Sequence, residues 1–246
     1  MALRSQYPAI TVPDVSLPEF IIGRTRNAPP GHVALVDGQS EATLAYCDIE
    51  RLVHFTAAAL HHAGLRKGDV LAILSPNHVQ YPIAFQATCF IGAIVTTLNP
   101  VYTAREIAHQ LEDSKARFIV TVSAMLPKAL QAAEAGAPLE RIYLFDGSGP
   151  LGTAKIPVSA FGELALTGRR LPVPSTPIDP AKDVCAIPYS SGTSGLPKGV
   201  VLTHRNLVAN LVQMAANHVQ LSSNDVLASS ALPSRLPSPP RYSAPL

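Results

Sequence analysis

Residues 187–199 read Ile-Pro-Tyr-Ser-Ser-Gly-Thr-Ser-Gly-Leu-Pro-Lys-Gly, set between the apolar runs Val184-Cys-Ala-Ile187 and Gly199-Val-Val-Leu-Thr203. An apolar run that breaks into glycines and hydroxyls, then resumes as a second apolar run, predicts strand, loop and strand. Between Ser190 and Lys198 the loop holds four hydroxyl residues (Ser190, Ser191, Thr193, Ser194), two glycines (Gly192, Gly195) and one lysine. Gly192 and Gly195 let the main chain approach a ligand closely, so that successive N–H groups can converge on anionic oxygens. The hydroxyls add donors, and Lys198 adds one mobile positive charge. These groups suit phosphate, while composition alone leaves a plain surface turn equally open. A Walker A loop is excluded, because Pro197 stands where glycine should precede the lysine and Gly199 follows where Ser or Thr is required.

Upstream of the loop, short aliphatic runs alternate with segments of helical period from residue 32 onward, the pattern of an α/β domain with a mostly parallel sheet flanked by helices. Strands are expected at 33–36, 69–74, 93–98, 117–122, 141–145, 184–188 and 199–203. Helices are expected at 48–62, 77–91, 103–114 and 124–136. In the first, Leu52, Phe55, Ala59 and His62 fall near one face, with Gly64 as the stop signal. Thr103-Ala-Arg-Glu106 has capping-box spacing and opens the third. Prolines 150, 157, 172, 174, 177 and 180 interrupt the alternation between 146 and 182, which reads as a surface connection or linker. The expected organisation is a domain over 1–228 and a Pro/Ser-rich, disordered tail over 229–246.

The chain has 246 residues, 47% of them hydrophobic and 15% charged, which excludes a disordered or fibrous protein. Its 19 basic and 17 acidic residues leave a formal charge of +2, too little to suggest nucleic acid as a partner. Cys47, Cys89 and Cys185 lack metal-ligand or Cys-x-x-Cys spacing and are expected to be reduced core residues. The opening MALRSQYPAITVPD lacks the apolar stretch of an export signal. Ile83–Leu98 contains Gln86, Thr88, Thr96 and Thr97 and is shorter than the ~20 residues of a spanning helix. The expectation is a cytoplasmic protein with no membrane partner.

Other motifs carry less. Gly147-Ser-Gly-Pro-Leu-Gly152 matches G-x-G-x-x-G after the strand-like RIYLFD, but Pro150 lies inside it and Pro157 follows where a helix should begin. It reads as a turn, not a nicotinamide site. His54, His61 and His62 include no i, i+4 pair able to chelate a metal. His204, just after the loop, reads as structural, and Arg66-Lys67 as a solvated turn.

The segment 187–199 resembles the phosphate-binding signature of the adenylate-forming, AMP-binding superfamily of acyl-CoA synthetases, luciferases and peptide-synthetase adenylation domains. The opening RSQYP, LRKGDVLAILSPN at 65–77, GAIVTTLNPVYTAREIAHQLEDSKARFIVT at 92–121 and DVCAIPYSSGTSG at 183–195 resemble the amino-terminal half of 4-coumarate:CoA ligases. VVLTHRNLVAN at 200–210 is similar to the strand and helix that follow the loop there. The resemblance implies an incomplete large domain and an acid–thiol ligase. A carboxylate attacks the α-phosphorus of ATP with Mg2+, giving acyl-adenylate and pyrophosphate, and coenzyme A then displaces AMP. It implies that Ser190, Ser191, Gly192, Thr193, Ser194, Gly195 and Lys198 hold the β- and γ-phosphates; these residues position and supply no base or nucleophile. The expected partners are a small carboxylic acid such as 4-coumarate or another aryl acid, ATP and CoA.

The family's acyl-pocket aromatic-His stretch, Tyr-Gly-x-Thr-Glu run, ribose aspartate and mobile carboxyl-terminal domain do not occur in this sequence. Past Ala228 it reads SSALPSRLPSPPRYSAPL. A one-nucleotide shift through the codons of Ser229–Pro237 permits Leu-Leu-Pro-Phe-Leu-His-Val-Tyr, the continuation the resemblance implies, so the tail reads as out-of-frame translation. The chain is therefore expected to be inactive alone and to self-associate through incompletely covered apolar surface. The competing reading is a non-catalytic nucleotide-binding or interaction fragment.

Overall fold

The computed structural model describes residues 9–38, 40–147, 155–190, 197–217 and 225–228. Ser16 opens helix α1 (Leu17–Thr25) with a reciprocal capping box to Glu19. A small hairpin follows, β1 (Val33–Val36) with β2 (Thr43–Ala45), and leads directly into α2 (Tyr46–His62). The chain then alternates through β3 (Val70–Leu74), α3 (Tyr81–Phe90), β4 (Ile94–Leu98), α4 (Ala104–Asp113), β5 (Ala116–Thr121), α5 (Leu126–Glu134) and β6 (Arg141–Leu144). It continues with β7 (Val158–Ala160), α6 (Gly162–Gly168), β8 (Val184–Ala186), β9 (Tyr189–Ser190), β10 (Lys198–Gly199), β11 (Leu202–Thr203) and α7 (His204–Asn217).

Seven strands form one sheet in the order β11-β8-β4-β3-β5-β6-β7. All neighbours are parallel except β11, which runs antiparallel to β8 at one edge. The expected α/β class with a mostly parallel sheet is the architecture found.

The period-2 pleat explains why β3 is apolar at every position. Leu71 and Ile73 enter the core with α1, α2 and α3, while Val70, Ala72 and Leu74 enter the opposite core with α4 and α5. A strand covered on both faces has no solvent side on which to carry polar residues.

Several expectations need correction. The stretch 146–182 is more than a linker: β7 extends the sheet beside β6, and α6 packs on α2. Residues 199–203 divide into β10 and β11, since β10 pairs with β9 and β11 with β8. The short elements α1, β2, β7, β9 and α6 had no period long enough to read. In α2 the buried residues are Val53, Thr56, Ala57, Ala58, Ala59 and Leu60; Leu52 and Phe55 are half-buried and His62 is exposed. The face read from the period lies beside this buried stripe, which packs on α3 as well as α6. A Cβ on Gly168 would lie 1.7 Å from the Phe55 carbonyl oxygen. Cys47 is exposed in the first turn of α2 instead of in the core. Lys67 is exposed in a turn, as expected, and its Nζ also ties that turn to a distant segment, donating to Asp183 Oδ2 at 2.6 Å and to the Pro177 carbonyl at 2.8 Å. Of the discounted glycine motif, Ser148–Gly152 lies outside the described residues, as does the tail 229–246.

Candidate functional site

The loop grows from the carboxyl end of β8, where ligands characteristically bind in open parallel sheets. Pro188 interrupts the ladder after β8, and the chain turns into the β9–β10 hairpin, which pairs Lys198 with Ser190 and Gly199 with Tyr189. The two ends of the loop are thus held side by side, with Ser190 and Lys198 both exposed. Among the described residues Lys198 forms no ion pair, so its ammonium is available to an anion. Ser191, Gly192, Thr193, Ser194 and Gly195, the other residues expected to hold phosphate, lie outside the described residues.

The hairpin is anchored from beneath by groups that sequence reasoning missed. Ile187 donates its N–H to the Val95 carbonyl at 2.8 Å, and its own carbonyl accepts from Thr96 Oγ1 at 2.7 Å. Thr96 is fully buried and accepts in turn from Gln110 Nε2 at 2.9 Å; the same nitrogen donates to the Thr97 carbonyl at 3.0 Å. A chain of hydrogen bonds therefore runs from α4 through β4 to the start of the loop. Tyr189 adds a second tie, its hydroxyl donating to Asp113 Oδ2 at the end of α4. Partial burial and that carboxylate both raise the phenol's pKa, so it stays a neutral donor. Gly199 is required by close packing, since a Cβ there would meet Ile187 Cγ2 at 2.8 Å and the Tyr189 ring at 3.2 Å. The signals for this scaffold were the paired threonines in an aliphatic strand and a glutamine on the buried phase of α4.

A cleft of about 190 Å³ lies beside the hairpin, lined by Tyr102, Arg105, His109, Gln110, Tyr189 and Pro197 among others. It is smaller than the ~300–1,000 Å³ typical of small-molecule pockets. The groups present can position oxyanions. His204 is structural, as expected: it is fully buried at the start of α7, and its Nδ1 accepts the Leu17 N–H at 3.2 Å. Thr203 caps that helix by accepting the Asn206 N–H at 3.3 Å while Asn206 Oδ1 accepts the Thr203 N–H at 2.9 Å. Among the described residues no group of three or more His, Cys, Asp or Glu could hold a metal, and no helix is long and apolar enough to cross a membrane.

A sequence model of the family described as AMP-binding enzyme matches residues 23–234. Among curated proteins, 4-coumarate–CoA ligase 5 of Oryza sativa is 36% identical over 217 residues, covering 86% of this chain and 37% of that protein. The 4-coumarate-CoA ligase 1 of Narcissus pseudonarcissus is 37% identical over 212 residues, covering 85% of this chain and 37% of its own. The chain thus spans just over a third of the length of these relatives. Among solved structures, a long-chain-fatty-acid-CoA ligase of Archaeoglobus fulgidus superposes with a TM-score of 0.73 at 26% identity, covering 87% of this chain and 41% of that one. A luciferase of Phrixothrix hirtus, at 21% identity and TM-score 0.77, shares the fold. With the loop placed at the carboxyl end of a parallel sheet and the family model matching most of its length, this chain belongs to the AMP-binding enzyme family of adenylate-forming proteins.

Proposed function

We propose that the segment Tyr189–Gly199 grips the β- and γ-phosphates of ATP in an ATP-dependent carboxylate:CoA ligase acting on 4-coumarate or a similar aryl acid, and that these 246 residues alone bind nucleotide without turnover. The carrying observation is the hairpin that sets Ser190 beside Lys198 at the carboxyl end of β8. In the first half-reaction a carboxylate oxygen bonds to the α-phosphorus as the bond to pyrophosphate breaks. In the second, the CoA sulfur bonds to the acyl carbon and AMP departs. Phosphoryl chemistry of this kind depends on positioning and charge stabilisation more than on a protein base. Ser190 and Lys198 provide both, and the Gln110–Thr96–Ile187 relay keeps the hairpin in register with the sheet. Mg2+, bound mainly through phosphate oxygens, supplies charge neutralisation when it arrives with ATP.

The reading of binding without turnover is supported by the small cleft beside the hairpin. Exposed donors to phosphate compete with water, so MgATP binding to the chain alone is expected to be weak. Calorimetric titration with MgATP tests the grip: Lys198→Ala should weaken binding about 10- to 150-fold, the scale of a hydrogen bond to a charged group. Unchanged affinity in that variant would remove the assignment. Acid-dependent pyrophosphate release should be absent from the chain alone; release on adding 4-coumarate would refute the non-catalytic part.

A further inference from the structure

Cys89 and Cys185 are 96 residues apart in sequence, yet their sulfurs are 3.3 Å apart in the core. Cys89 is the next-to-last residue of α3, and Cys185 is the middle residue of β8; both are fully buried. We propose that Cys89 and Cys185 form a reversible disulfide on exposure to a hydroperoxide, a covalent clamp between α3 and the strand that feeds the phosphate loop.

The geometry supplies both partners of such a bond. A disulfide S–S distance is about 2.0 Å, so the sulfurs must close by roughly 1.3 Å, within reach of small side-chain rotations. The third group is His204, fully buried beside them, whose Nδ1 accepts the Leu17 N–H and whose proton therefore sits on Nε2 in the neutral ring. That Nε2 has no hydrogen-bond partner among the described residues. An unspent donor near a thiol favours the thiolate, and Cys185 is held below the ordinary thiol range by the hydrogen bond with Cys89 and by His204, against the effect of burial. Cys89 is pushed the other way by burial and by its neighbour. The pair is asymmetric: Cys185 ionises first and Cys89 keeps its proton.

The chemistry follows from that asymmetry. The Cys185 thiolate attacks one oxygen of the hydroperoxide, forming an S–O bond as the O–O bond breaks, and the departing alkoxide or hydroxide takes a proton from water. The Cys89 sulfur then attacks the Cys185 sulfenic sulfur, expelling hydroxide, which takes the Cys89 proton and leaves as water. The two sulfurs lose two electrons and the peroxide gains two. Access comes through α7, whose principal contacts among the described residues are with α1, β8 and β11 and whose distal half is largely exposed, so a local opening there admits a small peroxide.

The test uses the chain with only the exposed Cys47 changed, as Cys47→Ser. After treatment of the folded protein with hydrogen peroxide, titratable thiols under denaturing conditions should fall from two to none. Tryptic peptides 68–105 and 183–198 should appear as one linked species, two hydrogens lighter than their sum and separated by dithiothreitol. Adding Cys89→Ser should abolish the linkage and leave Cys185 as a sulfenic acid trapped by dimedone. Two free thiols after treatment, linkage only after unfolding in urea, or oxidation of Cys185 without linkage in the Cys47→Ser protein would each overturn the proposal.

Discussion

Thr96 shows how a single side chain supports the candidate site without touching a ligand. Its hydroxyl donates to the Ile187 carbonyl and accepts from Gln110 inside the core. Thr96→Val preserves shape but leaves that carbonyl and one Gln110 N–H without this partner, and a buried group so orphaned costs about 1–3 kcal/mol. Urea denaturation should show a loss of that size, and Thr96→Ser, which keeps the hydroxyl, should recover most of the hydrogen-bond component. Lys198→Ala should instead leave the denaturation midpoint nearly unchanged, since the side chain is exposed and unpaired among the described residues. The two variants separate holding the loop from holding a phosphate. Ser190 and Lys198 could be singled out as candidates in the sequence because a hydroxyl–glycine–lysine loop has its donors and charge close together in the chain. Thr96, Gln110 and Asp113 were not, because their partners are supplied by sheet order; Ile187 lies 91 residues from Thr96.

At the scale of elements, the contact between α2 and α6 is the most sharply constrained. Gly168 presses against the Phe55 carbonyl with no room for a methyl group, the distance to an added Cβ being 1.7 Å. Gly168→Ala must push α6 away from α2, and overpacking of this kind costs about 1–3 kcal/mol, occasionally more. Gly31→Ala is a useful contrast: its φ of +76° carries backbone strain, but nothing surrounds the added carbon. Thermal melts should show a larger loss for Gly168→Ala, with chymotrypsin cutting near α6 earlier than in the parent. The strands β3, β4, β5 and β6 were readable within a residue because each is a short run dominated by β-branched, aliphatic and aromatic residues between helical segments. In α2 the period marks a stripe, whereas the neighbouring helices α3 and α6 select which part of it is buried.

For the molecule as a whole, surface chemistry predicts behaviour in solution. Val33, Val36, Val101, Val200, Val201, Val226 and Leu227 are exposed, and among the described residues β11 leaves one sheet edge unpaired. Such surface favours association, so sedimentation velocity should show species larger than 26.0 kDa growing with concentration, and a concentration-independent monomer would contradict this. Histidines set the acid response. Burial lowers the pKa of His54, half-buried against Phe90, and of His78, stacked on Phe145 at 4.7 Å. In both cases the unfolded chain binds the proton more readily than the folded one, so stability rises with pH. Their contribution is complete above about pH 6.5, the ordinary histidine value, and is lost as pH falls through the lower folded values. Melting temperature should therefore decline between about pH 7 and 5, and His54→Gln with His78→Gln should flatten that decline.

Two things were determined by sequence alone: the alternation of apolar strands with helical segments, and a loop whose glycines, hydroxyls and lysine suit phosphate. Both are encoded within a few neighbouring residues, where backbone geometry dictates the pattern. Which residues meet across the sheet was decided only by the tertiary structure. Cys89 reaches Cys185, His204 reaches Leu17 and Thr96 reaches Ile187 because β8 is inserted beside β4. No local pattern specifies that neighbour, since strand order depends on which faces bury the most apolar surface once every element has formed.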